Sequence, residues 1–206
     1  MSLLRDEIAA AAARLVVEDG LEYGPAKRRA ARDLGQLRVR SPDLPDNDAL
    51  EDAVREYLAL FCADTQPAEL AALRALAAEW MARLAEFRPH LSGAVWRGTA
   101  TRRSAIHLQL YCDDAKSAEI SLINQGLPYE VGSQTDARGR DVDVLVLALP
   151  CAALGERVML QLSVLDLDDL RGALRPDARG RSQRGDLAAL QRLLQTPQPD
   201  QKDSSS

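Results

Sequence analysis

At Pro89 the spacing of apolar residues changes from a helical period to an alternating one, and this switch limits the chain to an α+β fold. Before it, Leu70, Leu73, Ala77, Trp80, Leu84 and Phe87 follow one another in steps of three and four. After it, from Gly93, the apolar residues come in short runs separated by turn residues, as strands of a sheet do. The expected organisation is an N-terminal helical region over 1–88, a small mixed-sheet domain with flanking helices over 89–195, and a polar tail over 196–206. With 46% hydrophobic residues among 206 the chain can bury a core, and at 4% aromatic that core must be mostly aliphatic.

Within the helical region, LLRDEIAAAAARLVVEDG puts Ile8, Ala12, Leu15 and Val16 on one face and stops at Gly20. Pro25 opens a second, short and basic helix ending at Gly35, which carries Lys27, Arg28, Arg29 and Arg32. This pair resembles the start of a tetracycline-repressor-type helix-turn-helix. The recognition helix is replaced by the Pro-rich, partly acidic QLRVRSPDLPDND, so the basic face reads as a solvated surface. Asp46, Asn47 and Asp48 supply an N-cap for a helix with Leu50, Val54, Tyr57, Leu58 and Phe61 on one side, and Thr65 and Pro67 start the next. The two are expected to pack as an antiparallel hairpin, with Trp80 and Phe87 in its core. Such a hairpin also offers a surface for a homodimer.

In the second region Val95 opens a short strand, and Ile106, Leu108 and Leu110 alternate with His107, Gln109 and Tyr111 in another. Asp113 and Asp114 cap a helix ending near Gly126, and LPYEVG reads as a strand. DVDVLVLAL, from Asp141 to Leu149, suits a central strand; RVMLQLSVLD follows as a further strand, then a short helical piece from Asp168 to Leu174 and a last helix, DLAALQRLLQ. The tail TPQPDQKDSSS is expected to be disordered.

A formal net charge of −5 excludes a generally basic nucleic-acid binder, so any basic footprint is local. No apolar run approaches the roughly 20 residues of a membrane span, and Asp6 and Glu7 interrupt the place where a signal peptide would continue its apolar core. The expectation is a cytoplasmic protein without a membrane partner. Cys62, Cys112 and Cys151 are odd in number and lack paired metal-ligand spacing, which points to reduced, structural thiols.

The stretch GAVWRGTATRRSAIHLQL, from Gly93 to Leu110, resembles the nucleotidyltransferase superfamily, the DNA polymerase beta-like fold. In that family a strand ends in Gly-Ser, an Arg-Gly pair and a turn follow, and the next strand opens with Ser-Asp-x-Asp. Here Gly93-Ala94 stands at the Gly-Ser, Arg97-Gly98 at the Arg-Gly, and Ser104-Ala105-Ile106-His107 at the Ser-Asp-x-Asp, without a gap. The resemblance covers Pro89 to Asp166 and implies that the strand beginning Asp141-Val142-Asp143 brings the third carboxylate.

Enzymes of that family hold two divalent cations between carboxylates and nucleotide phosphates, and two carboxylates one residue apart in a strand project to the same side to clamp them. In this chain Ala105 has no ligating atom, His107 is a nitrogen donor ill suited to magnesium, and Ala94 lacks the family's serine hydroxyl. Two of the three expected carboxylates are therefore absent.

Three functions remain open on these residues. The first is a degenerate, non-catalytic member that binds a nucleotide or phosphate through Gly93, Arg97, Gly98 and Ser104. The second is an active nucleotidyltransferase with an altered metal site made of His107, Asp141 and Asp143, using magnesium or manganese. The third is a DNA-binding or protein-interaction module using the basic stretches from Lys27 to Arg40 and from Arg175 to Arg184.

Overall fold

The computed structural model describes residues 3–36, 44–135, 139–177 and 179–195. The expected disorder of 196–206 and the basic side chains of Arg38 and Arg40 lie outside these residues. The architecture is α+β, with an N-terminal helical region and a six-stranded mixed sheet.

Helix α1 spans Leu3–Asp19 and ends at Gly20, whose φ of 69° is the left-handed cap expected there. Helix α2, Tyr23–Asp33, begins two residues before Pro25. Pro25 remains in the first turn, where a missing N–H breaks no helical hydrogen bond. In α3, Asn47–Phe61, the Asp46 carboxylate accepts a hydrogen bond from the Ala49 N–H at 2.7 Å, a side-chain N-cap. Helix α4 spans Gln66–Arg83, and its stripe is buried from Leu70 to Phe87 as its spacing requires.

α3 and α4 do not form the expected hairpin. Leu50, Val54 and Leu58 of α3 pack with Ile8, Ala12 and Val16 of α1 and Ala30 of α2 in one apolar cluster. Leu73, Trp80 and Leu84 pack with Leu108, Leu147 and Leu162 of the sheet in a second cluster. The period changes at Pro89, but the core divides earlier, between α3 and α4. Because α4 spends its apolar stripe on the sheet, it does not offer a dimer surface. Burying a leucine such as Leu73 there stabilises the fold by about 2 kcal/mol. Phe61 sits at the end of α3, exposed and in tilted contact with Tyr57, the ring centroids 4.6 Å apart.

After a 3-10 turn the chain enters strand β1, His90–Ser92, and then a short helix α5, Gly93–Arg97. Val95 is therefore helical and buried, not the opening of a strand. β2 is Ile106–Cys112, and helix α6, Ala115–Asn124, is capped by the Asp114 carboxylate accepting from the Lys116 N–H. β3 (Glu130–Thr135), β4 (Asp141–Cys151) and β5 (Glu156–Asp166) follow, then a short helix α7 (Leu170–Ala173), a two-residue strand β6 (Arg184–Gly185) and helix α8 (Leu187–Gln195). The strand order is β3-β4-β5-β2-β1-β6, with β2 and β5 parallel and the other pairs antiparallel.

Ile106, Leu108 and Leu110 of β2 share a face with Leu160, Leu162 and Val164 of β5, and this face builds the main core. The opposite face carries His107, Gln109, Gln161 and Ser163 and looks toward the N-terminal helices. No helix among the described residues is long and apolar enough to cross a membrane. Cys62, Cys112 and Cys151 are free thiols.

Candidate functional site

The polar face of the sheet is built by register. Ser92 of β1 lies beside His107 of β2, which lies beside Gln161 of β5; one step along, Gln109 lies beside Ser163. Above this floor stand residues of the helical region, Glu22, Tyr23, Asn47, Asp48 and Glu51. Together they enclose a cleft of about 640 Å³, within the size range of small-molecule sites.

Gly93 and Arg97 line this cleft with His107, so the structure brings together three of the residues that the sequence singled out. Gly93 adopts φ 71°, and a Cβ on it would lie 3.0 Å from His107 Cδ2; only glycine lets β1 turn into α5 against the imidazole. His107 Nε2 lies 2.9 Å from Glu22 Oε1, and this hydrogen bond holds the Glu22 carboxyl below the usual carboxylate range against the opposing effect of burial. The Arg97 guanidinium stacks 5.1 Å from the Tyr23 ring centroid, and its Nε lies 3.1 Å from Glu51 Oε2. That approach is ionic rather than directed, because Arg97 Nε has no aligned hydrogen-bond partner among the described residues.

Gly98 does not join them, and Ser104 meets Arg97 and His107 only at a smaller neighbouring hollow. Gly98 caps α5 and turns its carbonyl to the Gln66 side chain of α4 at 3.2 Å. α4 holds this helix further through Arg74, which donates to the carbonyls of Val95 and Trp96, and burial pushes the Arg74 guanidinium down from its ordinary range. Ser104 Oγ accepts from the Thr101 N–H at 3.1 Å and so closes a turn, beside a hollow of only about 20 Å³. Of the phosphate cradle expected from Gly93, Arg97, Gly98 and Ser104, Gly93 and Arg97 line the main cleft, Ser104 shares the smaller hollow with Arg97, and Gly98 turns to α4.

The metal arrangement of His107, Asp141 and Asp143 is not assembled. Val146, not Asp141, stands level with Gln161 and hence with His107. Two strand spacings and the offset along β4 put Asp143 about 14 Å and Asp141 about 19 Å from His107. The register also turns the two aspartates to the face opposite His107. They border a separate hollow of about 210 Å³ with Asp166, Asp169 and Arg140, where Arg140 pairs with Asp169 at 2.7 Å. No group of three or more metal-ligating side chains occurs among the described residues. The strand beside β2 is β5, and it sets the amide of Gln161 next to His107. The hydroxyl of Ser92, the imidazole of His107 and the amide of Gln161 put no pair of carboxylates side by side on the floor, and a nitrogen donor does not suit a hard divalent cation, so the family's two-metal site does not fit these residues.

A buried carboxylate organises the cleft wall. Glu51 is 4% exposed, and its oxygens meet Arg55 at 2.8 Å, Arg97 at 3.1 Å and Arg181 at 3.2 Å. Arg181 also pairs with Asp48 and Asp177, and Arg179 pairs with Asp48 and Asp52. These ion pairs tie α3 to α5 and to the arginine-rich segment before β6.

Gln109, Gln161 and Ser163 were detectable in the sequence, because uncharged polar residues alternate with leucines in both IHLQLY and VMLQLSVL. Glu22 and Glu51 had no local signal, since their partners lie far along the chain. No family model matches the chain, and no curated protein matches it.

Proposed function

We propose that the protein is a nucleotidyltransferase-like domain that binds a nucleotide-class ligand between its sheet and its N-terminal helices without two-metal phosphoryl transfer. The convergence of Gly93, Arg97 and His107 in one cleft, with Gln161 rather than a carboxylate beside the histidine, carries this reading. Supporting it, β1 ends at Gly93 and the chain passes Arg97-Gly98 and a turn into β2, as the resemblance implies; α5 stands where that resemblance gives only a loop. A floor of hydroxyl, imidazole and amide groups allows binding but lacks the paired carboxylates that clamp two cations.

The altered-metal reading requires His107, Asp141 and Asp143 around one ion, and their opposite faces count against it. The basic-module reading is weakened by internal pairing. Lys27 donates to Pro45 and Asn47, Arg29 pairs with Asp19, and Arg179 and Arg181 are held by α3 carboxylates. Free thiols accord with a cytoplasmic setting.

Calorimetric titration with ATP, GTP, CTP, UTP and their nucleosides, with and without magnesium or manganese, tests the proposal. The expected result is saturable binding that neither the metal nor Asp143→Ala changes. Metal-dependent pyrophosphate release abolished by Asp143→Ala would reinstate the enzyme; no binding of any of these compounds would end the nucleotide-class reading.

A further inference from the structure

The chemistry of the cleft lining selects among ligands. Four carboxylates line it, those of Glu22, Asp48, Glu51 and Asp177, against one guanidinium, Arg97, which is already committed to Glu51 and to the Tyr23 ring. The guanidinium groups beside these carboxylates, Arg55, Arg97, Arg179 and Arg181, are already paired with Glu51, Asp48, Asp52 or Asp177, so a triphosphate placed there would meet carboxylate oxygens and no unpaired cation among the described lining residues. Phosphate sites need the opposite, a surplus of N–H donors and cations.

The floor has different capacities. Gln161 makes no side-chain hydrogen bond to any described residue, so its amide has both donors and its acceptor open. Ser163 Oγ accepts from Gln134 at 2.7 Å and keeps its own proton to donate. On the helical side the Tyr23 hydroxyl is shielded from solvent without a hydrogen-bond partner among the described residues. Small-molecule sites are usually lined by apolar side chains. A cleft lined by amides, hydroxyls and carboxylates suits a ligand that both donates and accepts at closely spaced positions.

We infer that this cleft binds an uncharged ring bearing vicinal hydroxyls, held between the Gln161 and Ser163 floor and the carboxylate wall, and that it discriminates against phosphorylated forms. Each hydroxyl donates to a carboxylate oxygen of the wall, Glu22 Oε2 being one that accepts no hydrogen bond from a described residue, and accepts from the floor amide, a pairing that a fully ionised phosphate oxygen cannot make because it has no proton to give. A ribonucleoside and a free sugar share this chemistry. The inference rests on the reading of this cleft as the binding site and not on the identity of the base.

Calorimetry on the full chain tests it with adenosine, 2′,3′-dideoxyadenosine, glucose, ATP and inorganic phosphate as probes, on the wild type and on Gln161→Leu. The expected result is binding of adenosine or glucose that Gln161→Leu weakens about tenfold or more, with ATP at least about tenfold weaker than adenosine. If adenosine is the binder, loss of its two ribose hydroxyls removes binding; if glucose alone binds, the ligand is a sugar and the nucleotide-class reading falls while this inference stands. ATP binding more tightly than adenosine overturns the inference and leaves the cleft as a nucleotide site. Binding that Gln161→Leu does not alter, in a variant with the wild-type circular dichroism spectrum, also overturns it. Binding of none of the probes overturns both readings.

Discussion

Replacing Glu51 with glutamine keeps the volume of the side chain and removes one charge from the junction of α3, α5 and the segment before β6. The carboxylate is almost fully enclosed and touches three guanidinium groups, so its loss resembles deletion of one partner from a buried ion pair, which costs about 3–5 kcal/mol. Two of the arginines soften that cost. The Arg55 side chain is 46% exposed and can be hydrated, and Arg181 keeps Asp48 and Asp177. Arg97, whose side chain is 21% exposed, keeps the Tyr23 ring and the attraction of the Glu22 carboxylate for its charge. The discounted loss is about 2–3 kcal/mol, which for a chain of this size lowers Tm by roughly 4–12 °C. Differential scanning calorimetry of the wild type, Glu51→Gln and Glu51→Ala at neutral pH measures it. A Glu51→Gln midpoint within about 1 °C of the wild type would refute the reasoning, showing that the arginines are adequately solvated without the carboxylate.

Gly185→Ala is expected to destabilise by about 1–3 kcal/mol, because its methyl would overlap the Trp96 ring, which the Trp96 Nε1 bond to the Ser182 carbonyl holds in place; chemical denaturation reads the loss, and Trp96→Leu should restore part of it. Asp177 is held below the ordinary carboxylate range, first by the Arg181 backbone N–H, so its contribution to stability is present above about pH 4 and disappears as pH falls through its lower folded-state value. Thermal midpoints measured from pH 5 down to pH 2 should therefore fall less steeply in Asp177→Asn than in the wild type.

Elements were legible where a single segment carried its own instruction. The Asp46 and Asp114 caps, the α4 stripe and the alternation in β2 and β5 each encode local geometry that the tertiary structure leaves intact. Val95 was misread because four residues between two glycines show neither period, and Arg74 and Gln66, far upstream, decide for a helix by binding the carbonyls of Val95, Trp96 and the capping Gly98. The α3–α4 hairpin failed for a related reason. An apolar stripe states that a face is buried but not against what, and α4 found the sheet. Within the candidate site, the loop residues Gly93 and Arg97 were identified from their pattern, whereas the role given to Asp141 and Asp143 depended on strand order. Antiparallel pairing of β4 with β5 carries those aspartates to the far end of β2, and no residue in DVDVLVLAL announces that.

The parallel pairing of β2 with β5 also sets a timetable for synthesis. α1, α2 and α3 meet one another within the first third of the chain, so their apolar cluster can close early on the ribosome. Ile106 finds Leu160 only after the intervening helix and both strands of the β3–β4 hairpin have emerged, and such distant pairings form slowly. The helical wall thus exists before the floor it faces, the floor is completed only when β5 slides in beside β2, and Asp177 and Gln183 join the lining later still.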